Sequence, residues 1–197
     1  MKIKYILLIT GIIFLIGIYS SDTDIELLKT INLNRDTSLN SLFYYITNSA
    51  APIAYGIPII LLIISLTNEY IEQQKNALTI IGYVLIAALI TTAIKHGFNR
   101  PRPFITYSFL QSISDGGSPS FPSGHTCDAF AIAATISLIY KKWVMIIPVF
   151  LWAFTVAYSR MYFGVHYPSD ILGGIIIGSG VPLIFPAIIK RFRKERN

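Results

Sequence analysis

The chain of 197 residues is of one-domain length, and it carries 53% hydrophobic but only 13% charged residues, against roughly 25% charged in a soluble globule. Together with a mean hydropathy of +0.59, this excludes an ordinary soluble domain. The single cysteine, Cys127, excludes an intramolecular disulfide and a cysteine-based metal cluster.

Apolar runs recur at residues 3–20, 51–66, 78–94, 126–140, 143–158 and 171–189. They predict an all-α integral membrane bundle of about six transmembrane helices, forming a single domain over residues 1–197. The runs are about 15 to 19 residues long, at the short end for crossing roughly 30 Å of hydrocarbon. Short spans are tolerable where charged flanks snorkel or the bilayer thins. Lys2 and Lys4 before the first run also suit a secretion signal, but residues 17–21 offer no small-x-small cleavage site, so this run is expected to stay as a helix.

Between the first two runs, Ile25, Leu28 and Ile31, then Leu39, Leu42, Phe43 and Ile46, follow the i, i+3, i+4 spacing of amphipathic helices. Such helices lie in the headgroup layer with their apolar face in lipid. Residues 22–47 are expected to do so on the outer side, either as cover for the bundle or in substrate entry. Further on, residues 114–122 are rich in turn residues and lead directly into Ser123.

The net charge of +6 follows a membrane pattern and not a nucleic-acid one. With the N-terminus in the cytoplasm, Lys2, Lys4, Lys75, Lys141, Lys142, Lys190, Arg191, Arg193, Lys194 and Arg196 fall inside, ten of the sixteen Lys and Arg residues. That asymmetry fits the positive-inside rule. The basic tail then reads as a topology anchor near anionic lipid, and no nucleic-acid partner is expected. Segments 21–50, 95–125 and 159–170 share the outer face.

Three polar clusters lie in those outer segments: KHGFNRPRP (95–103), PSGH (122–125) and SRMYFGVHYPSD (159–170). Ionisable groups so near membrane spans are costly unless they pair or do chemistry. Lys95, Arg102 and Arg160 supply cations for a phosphate; an arginine fork matches two oxygens, while lysine acts as a point charge. Ser123 and Gly124 precede a predicted helix start, where free N–H groups make an anion site. His166 can attack phosphorus if Asp170, four residues on, orients its ring. His125, at the mouth of its helix, is placed to protonate the leaving oxygen. His96 is expected to be a hydrogen-bonded packing residue pointing away from Lys95. Every histidine here has a lysine or arginine nearby, which suits an anion and disfavours a metal, so no metal or other cofactor is expected.

These motifs, from Lys95 to Asp170, resemble at every signature position the three-part signature of the type 2 phosphatidic acid phosphatases: Lys95 with Arg102 and Pro103, then Pro122 to His125, then Ser159 and Arg160 with His166 and Asp170. The resemblance implies that His166 forms a phosphohistidine, Asp170 orients it, and His125 is the general acid. Lys95, Arg102, Ser123, Gly124 and Arg160 would bind the phosphoryl group, and reaction would need no metal. Arg100 lies outside the strict signature and is expected to assist from behind. Soluble acid phosphatases and vanadium haloperoxidases share the signature but fail on hydropathy.

What remains is a membrane lipid phosphatase of the bacterial inner membrane, with its site facing the periplasm or exterior. Its partners would be the bilayer and a lipid phosphate. Undecaprenyl pyrophosphate, phosphatidylglycerophosphate and lipid A head the substrates, with phosphatidate in the same class. Two rivals stand beside it: a lipid phosphotransferase using the same intermediate, and a non-catalytic lipid-binding or channel protein, which leaves both histidines and Asp170 without a reason. Asp128 departs from the small or apolar residue expected after PSGH. It would either pair with Arg102 or Arg160, or act as a favourable charge near a helix N-terminus.

Overall fold

A computed structural model describes residues 10–12, 15–17, 19, 21–112 and 117–195, with side chains to residue 187. Every regular element among these is helical: α1 (Asp22–Leu33), α2 (Asn40–Asn48), α3 (Ile57–Thr67), α4 (Ile71–Phe98), the short α5 (Pro103–Thr106), α6 (Gly124–Tyr140), α7 (Trp143–Tyr162) and α8 (Pro168–Glu195). Among the described residues, four helical runs are long and apolar enough to cross a membrane: Thr37–Thr67, Ile71–Thr106, Trp143–Tyr162 and Pro168–Ala187. The predicted run 3–20 lies largely outside the described residues, as does part of the turn-rich segment 114–122.

The predicted amphipathic segment divides in two. Ser21 caps α1 by accepting from the Asp24 N–H, and the helix buries Asp24, Leu28 and Asn32, one face at i, i+4, i+8. That face is more polar than the apolar stripe predicted for it. The second half is not a separate surface helix. α2 runs through a π-helical turn at Pro52–Gly56 into α3, giving one 31-residue helical run. Pro52, the first residue of that turn, has no N–H to donate to an α-helical ladder.

α6 is the hub. Its Ala129, Phe130 and Ala133 pack with Ala153, Val156 and Ala157 of α7 and with Ile171 of α8. Its Cys127, Ala131 and Ile132 pack with Ile80, Val84 and Ala87 of α4 and with Val181 of α8. A helix apolar all round is a buried one, so α6, at 17 residues, is sheathed by its neighbours and need not match the lipid thickness itself.

α8 meets α6 along a glycine seam. A Cβ at Gly174 would stand 2.7 Å from the Ser123 carbonyl oxygen, and one at Gly178 would stand 2.4 Å from that of Cys127. This G-x-x-x-G spacing lets two membrane helices approach to backbone contact. It also sets the start of α8, with Asp170, directly against the start of α6, where the Ser123 N–H donates to the Asp170 carbonyl at 3.0 Å.

Candidate active site

The site is built where α4, α6, α7 and α8 end on one side of the bundle. α4 stops at Asn99 in the left-handed region, φ 43° and ψ 38°, a conformation asparagine tolerates better than most residues. This puts Lys95 in its last turn and sends Arg100 and Arg102 across the bundle end. α7 stops at Tyr162, and Gly164 turns the chain with φ +65°; a Cβ there would lie 3.0 Å from the Asn32 amide nitrogen. The turn brings His166 back beneath α7 and starts α8 at Pro168, as the proline predicts.

His166 therefore sits in the loop before α8. Its contact with Asp170 is made by that loop folding on the first helical turn, not by the single helical turn that a spacing of four suggests. The imidazole is 1% exposed and Asp170 is fully buried. His166 Nδ1 lies 3.3 Å from Asp170 Oδ2, and the same oxygen accepts from Ser120 Oγ at 2.5 Å and from the Tyr167 N–H at 2.9 Å. The last bond is half of a capping box. Asp170 Oδ1 accepts from Arg100 Nη1 at 2.8 Å. A carboxylate can only accept, so Nδ1 carries the ring proton and Nε2 is left with its lone pair. Burial pushes the His166 imidazole down to about 3, with Asp170 pulling the other way, so the ring is neutral at ordinary pH.

The cations stand across from this pair. Arg102 donates from Nε to the Ser118 carbonyl at 2.8 Å and from Nη1 to the Val165 carbonyl at 3.3 Å. Lys95 Nζ donates to the Pro119 carbonyl at 2.5 Å. Arg160 Nη1 donates to Thr47 Oγ1 at 2.7 Å, but its buried Nε has no partner among the described residues. An unsatisfied buried guanidinium N–H is expensive and calls for an acceptor. Arg160, Arg102 and Lys95 all act electrostatically on His125, and Arg160 and Arg102 act on His166. The three predicted clusters thus converge. At the head of α6, Ser123 accepts from Thr126 Oγ1 at 2.9 Å, while a Cβ at Gly124 would meet nothing within 4 Å. Gly124 is small beside open space and not because packing demands it.

Asp128 does neither thing expected of it: its Oδ1 accepts from the Tyr55 hydroxyl at 2.9 Å, away from the arginines. His96 bonds the Thr92 carbonyl of its own helix, 2.8 Å from Nδ1, and is exposed, so it is not a packing residue. Among the described residues no group of three His, Cys, Asp or Glu side chains is arranged to hold a metal. Sequence reasoning missed Ser120 and Asp24, and it left Arg100 behind the site. Arg100 joins Asp170 to Asp24, whose Oδ2 accepts from Arg100 Nη2 at 2.8 Å. The available signal was an acidic residue at the head of an otherwise surface-like amphipathic helix.

The pattern of the PAP2 superfamily matches residues 76–194. The chain belongs to that superfamily. Its PAP2 relatives include an undecaprenyl-diphosphatase of Sulfolobus acidocaldarius, 29% identical over 165 residues, 82% of this chain and 76% of that one. A lipid A 4'-phosphatase of Porphyromonas gingivalis is 28% identical over 81% of this chain and 70% of its own. The crystal structure of a transmembrane PAP2-type phosphatidylglycerolphosphate phosphatase from Bacillus subtilis superposes with a TM-score of 0.73, covering 93% of this chain and 94% of that one at 21% identity. That likeness bears on the fold: an all-helical membrane bundle.

Proposed function

We propose that this PAP2 chain is a phosphatase that removes a phosphate from a membrane lipid through a phosphohistidine on His166. The observation that carries it is the pairing of two unlike halves: a neutral His166 whose Nδ1 lies against buried Asp170, and an Arg160 whose buried Nε lacks an acceptor among the described residues. A phosphoryl group between them satisfies the arginine and presents phosphorus to His166 Nε2.

Lys95, Arg102 and Arg160 hold the phosphoryl oxygens, with the Ser123 hydroxyl and the N–H groups in the first turn of α6 from Gly124 onward. The Nε2–P bond forms as the P–O bond to the lipid breaks, and His125 gives its proton to the departing oxygen. The charge of the phosphate offsets the neighbouring cations and lets His125 hold that proton. Water then attacks phosphorus, the Nε2–P bond breaks, and His125 recovers a proton. Asp170 stabilises the charge that appears on the His166 ring. Cations fixed by the protein take the part a divalent metal plays elsewhere.

Among substrates, a polyprenyl pyrophosphate stands first and lipid A second, supported by the relatives whose similarity runs over some four fifths of this chain. Purified protein assayed against undecaprenyl pyrophosphate, lipid A, phosphatidylglycerophosphate and phosphatidate tests the class. Free phosphate should appear without any lipid acceptor; dependence on an acceptor would make the chain a phosphotransferase.

The site faces outward from the cytoplasmic membrane. Lys95 and Lys75 lie twenty residues apart on α4, about 30 Å at 1.5 Å per residue, and Lys141 and Lys142 follow the far end of α6. Lys75, Lys141 and Lys142 are thus at the end that the positive-inside rule keeps in the cytoplasm. A cysteine at Gly117 in a Cys127→Ala background should react with an impermeant maleimide in intact cells, and one at Asn76 only after lysis. The reverse pattern would put the site inside.

A further inference from the structure

Behind Asp170 lies a buried chain of charges that the proposed chemistry does not use. Arg100, 8% exposed, divides its guanidinium between two carboxylates: Nη1 donates to Asp170 Oδ1 and Nη2 to Asp24 Oδ2, each at 2.8 Å. Nη1 also donates to Ser169 Oγ at 2.7 Å. The guanidinium is held between aromatic rings, with its carbon 3.8 Å from the Tyr167 centroid and 4.4 Å from that of Tyr19. Asp24, 2% exposed, accepts from the Ser169 N–H at 2.9 Å and from the Ser169 hydroxyl in a short bond. Asp24 therefore caps, from α1, the first turn of the helix that carries Asp170.

A carboxylate, a guanidinium and a second carboxylate buried together are costly to desolvate and seldom add net stability over an apolar packing. What the chain does accomplish is geometric. Arg100 and the Ser169 cap fix the rotation of Asp170 from Oδ1, so that Oδ2 is left to receive Ser120, the Tyr167 N–H and His166. Arg100 in turn is oriented by Asp24.

We propose that Asp24 and Arg100 are positioning residues for the reaction, acting on His166 through Asp170, and that α1 is docked on the bundle to supply this orientation. The proposal rests on the reading of His166 and Asp170 as the reacting pair. A 1 Å misplacement of reacting groups can cost about 100-fold in rate, and the two residues stand at successive removes from the ring. Asp24→Asn should therefore lower kcat roughly 10-fold and Arg100→Gln roughly 100-fold, with KM changed less than about twofold, since neither side chain meets the phosphate.

The test is a double-mutant cycle on the full chain in detergent, following release of phosphate from undecaprenyl pyrophosphate. Asp24→Asn and Arg100→Gln are made alone and in an Asp170→Asn background. If they act through Asp170, their effects shrink to near nothing once Asp170 is gone. Glu26→Gln, an exposed change on the same helix, should match wild type. Arg100→Gln leaves two buried carboxylates without their cation; where it fails to fold, Arg100→Lys keeps the charge but loses the fork and should still lower kcat by about 10-fold or more. Wild-type kcat in Asp24→Asn and Arg100→Lys would overturn the proposal, as would losses of equal size in the Asp170→Asn background. Either result leaves the reacting pair standing, provided Asp170→Asn is itself impaired. An Asp170→Asn variant as active as wild type would overturn both.

Discussion

On the Asp170 side of the site each carboxylate oxygen is engaged: Oδ1 by Arg100, and Oδ2 by Ser120, His166 and the Tyr167 N–H. On the Arg160 side a buried Nε has no acceptor among the described residues, and Gly124 looks onto open space. The first side is complete without a ligand, so it holds one geometry, as a reacting pair must. The second is incomplete without an anion, as a binding half must be. Enzymes gain most from dipoles and charges that need no rearrangement when charge develops. On the proposed reading that preparation is divided between a locked half that aims the ring and a receptive half that takes the phosphate.

The largest effect should come from removing the aimed group itself. His166→Ala should cost about 10⁴-fold or more in turnover while lipid phosphate still binds, measured as kcat beside the inhibition constant of inorganic phosphate. Unchanged turnover would erase the distinction between the halves. Next comes Asp170→Asn, which keeps shape but not charge and should lose about 10²–10⁴-fold. A loss confined to KM would move Asp170 to the binding half.

Gly124→Ala sharpens the comparison from the receptive side. Among the described residues, nothing beyond its own helical turn lies within 4 Å of the added methyl, so thermal stability should be unchanged, while the methyl enters the space proposed for the phosphate and lowers kcat/KM by roughly 10- to 100-fold. Equal activity would show that the open space is not the phosphate's. The smallest effect is expected from a chelator, which should leave the rate unchanged because Lys95, Arg102 and Arg160 meet the phosphate charge. A loss restored by one particular dication would put a metal in the receptive half.

The candidate site was legible in the sequence because phosphate chemistry demands particular residue types, and these stand in short, dense motifs. Their convergence also followed from counting spans and cations. What stayed hidden depends on partners far apart in the chain. Asp24 and Arg100 are 76 positions apart, and Tyr55 and Asp128 are 73 apart, so no local pattern announces either pair. The π-helical turn that merges α2 with α3 arises where Pro52 breaks the ladder. Gly174 and Gly178 were visible as letters, but hydropathy counts them as neutral, and their use in bringing α8 against α6 is a matter of missing Cβ atoms. A spacing of four between His166 and Asp170 gave the correct contact for a different geometric reason.

The central claim is that the locked half delivers a nucleophile, and it is tested most directly by trapping. Protein mixed with substrate labelled in the phosphate to be removed is quenched within milliseconds, kept alkaline to preserve phosphohistidine, and mapped by peptide. Label is expected on His166, and none in His166→Ala. Label on His125 with His166 bare, or turnover through wild-type protein with no labelled histidine, would contradict it.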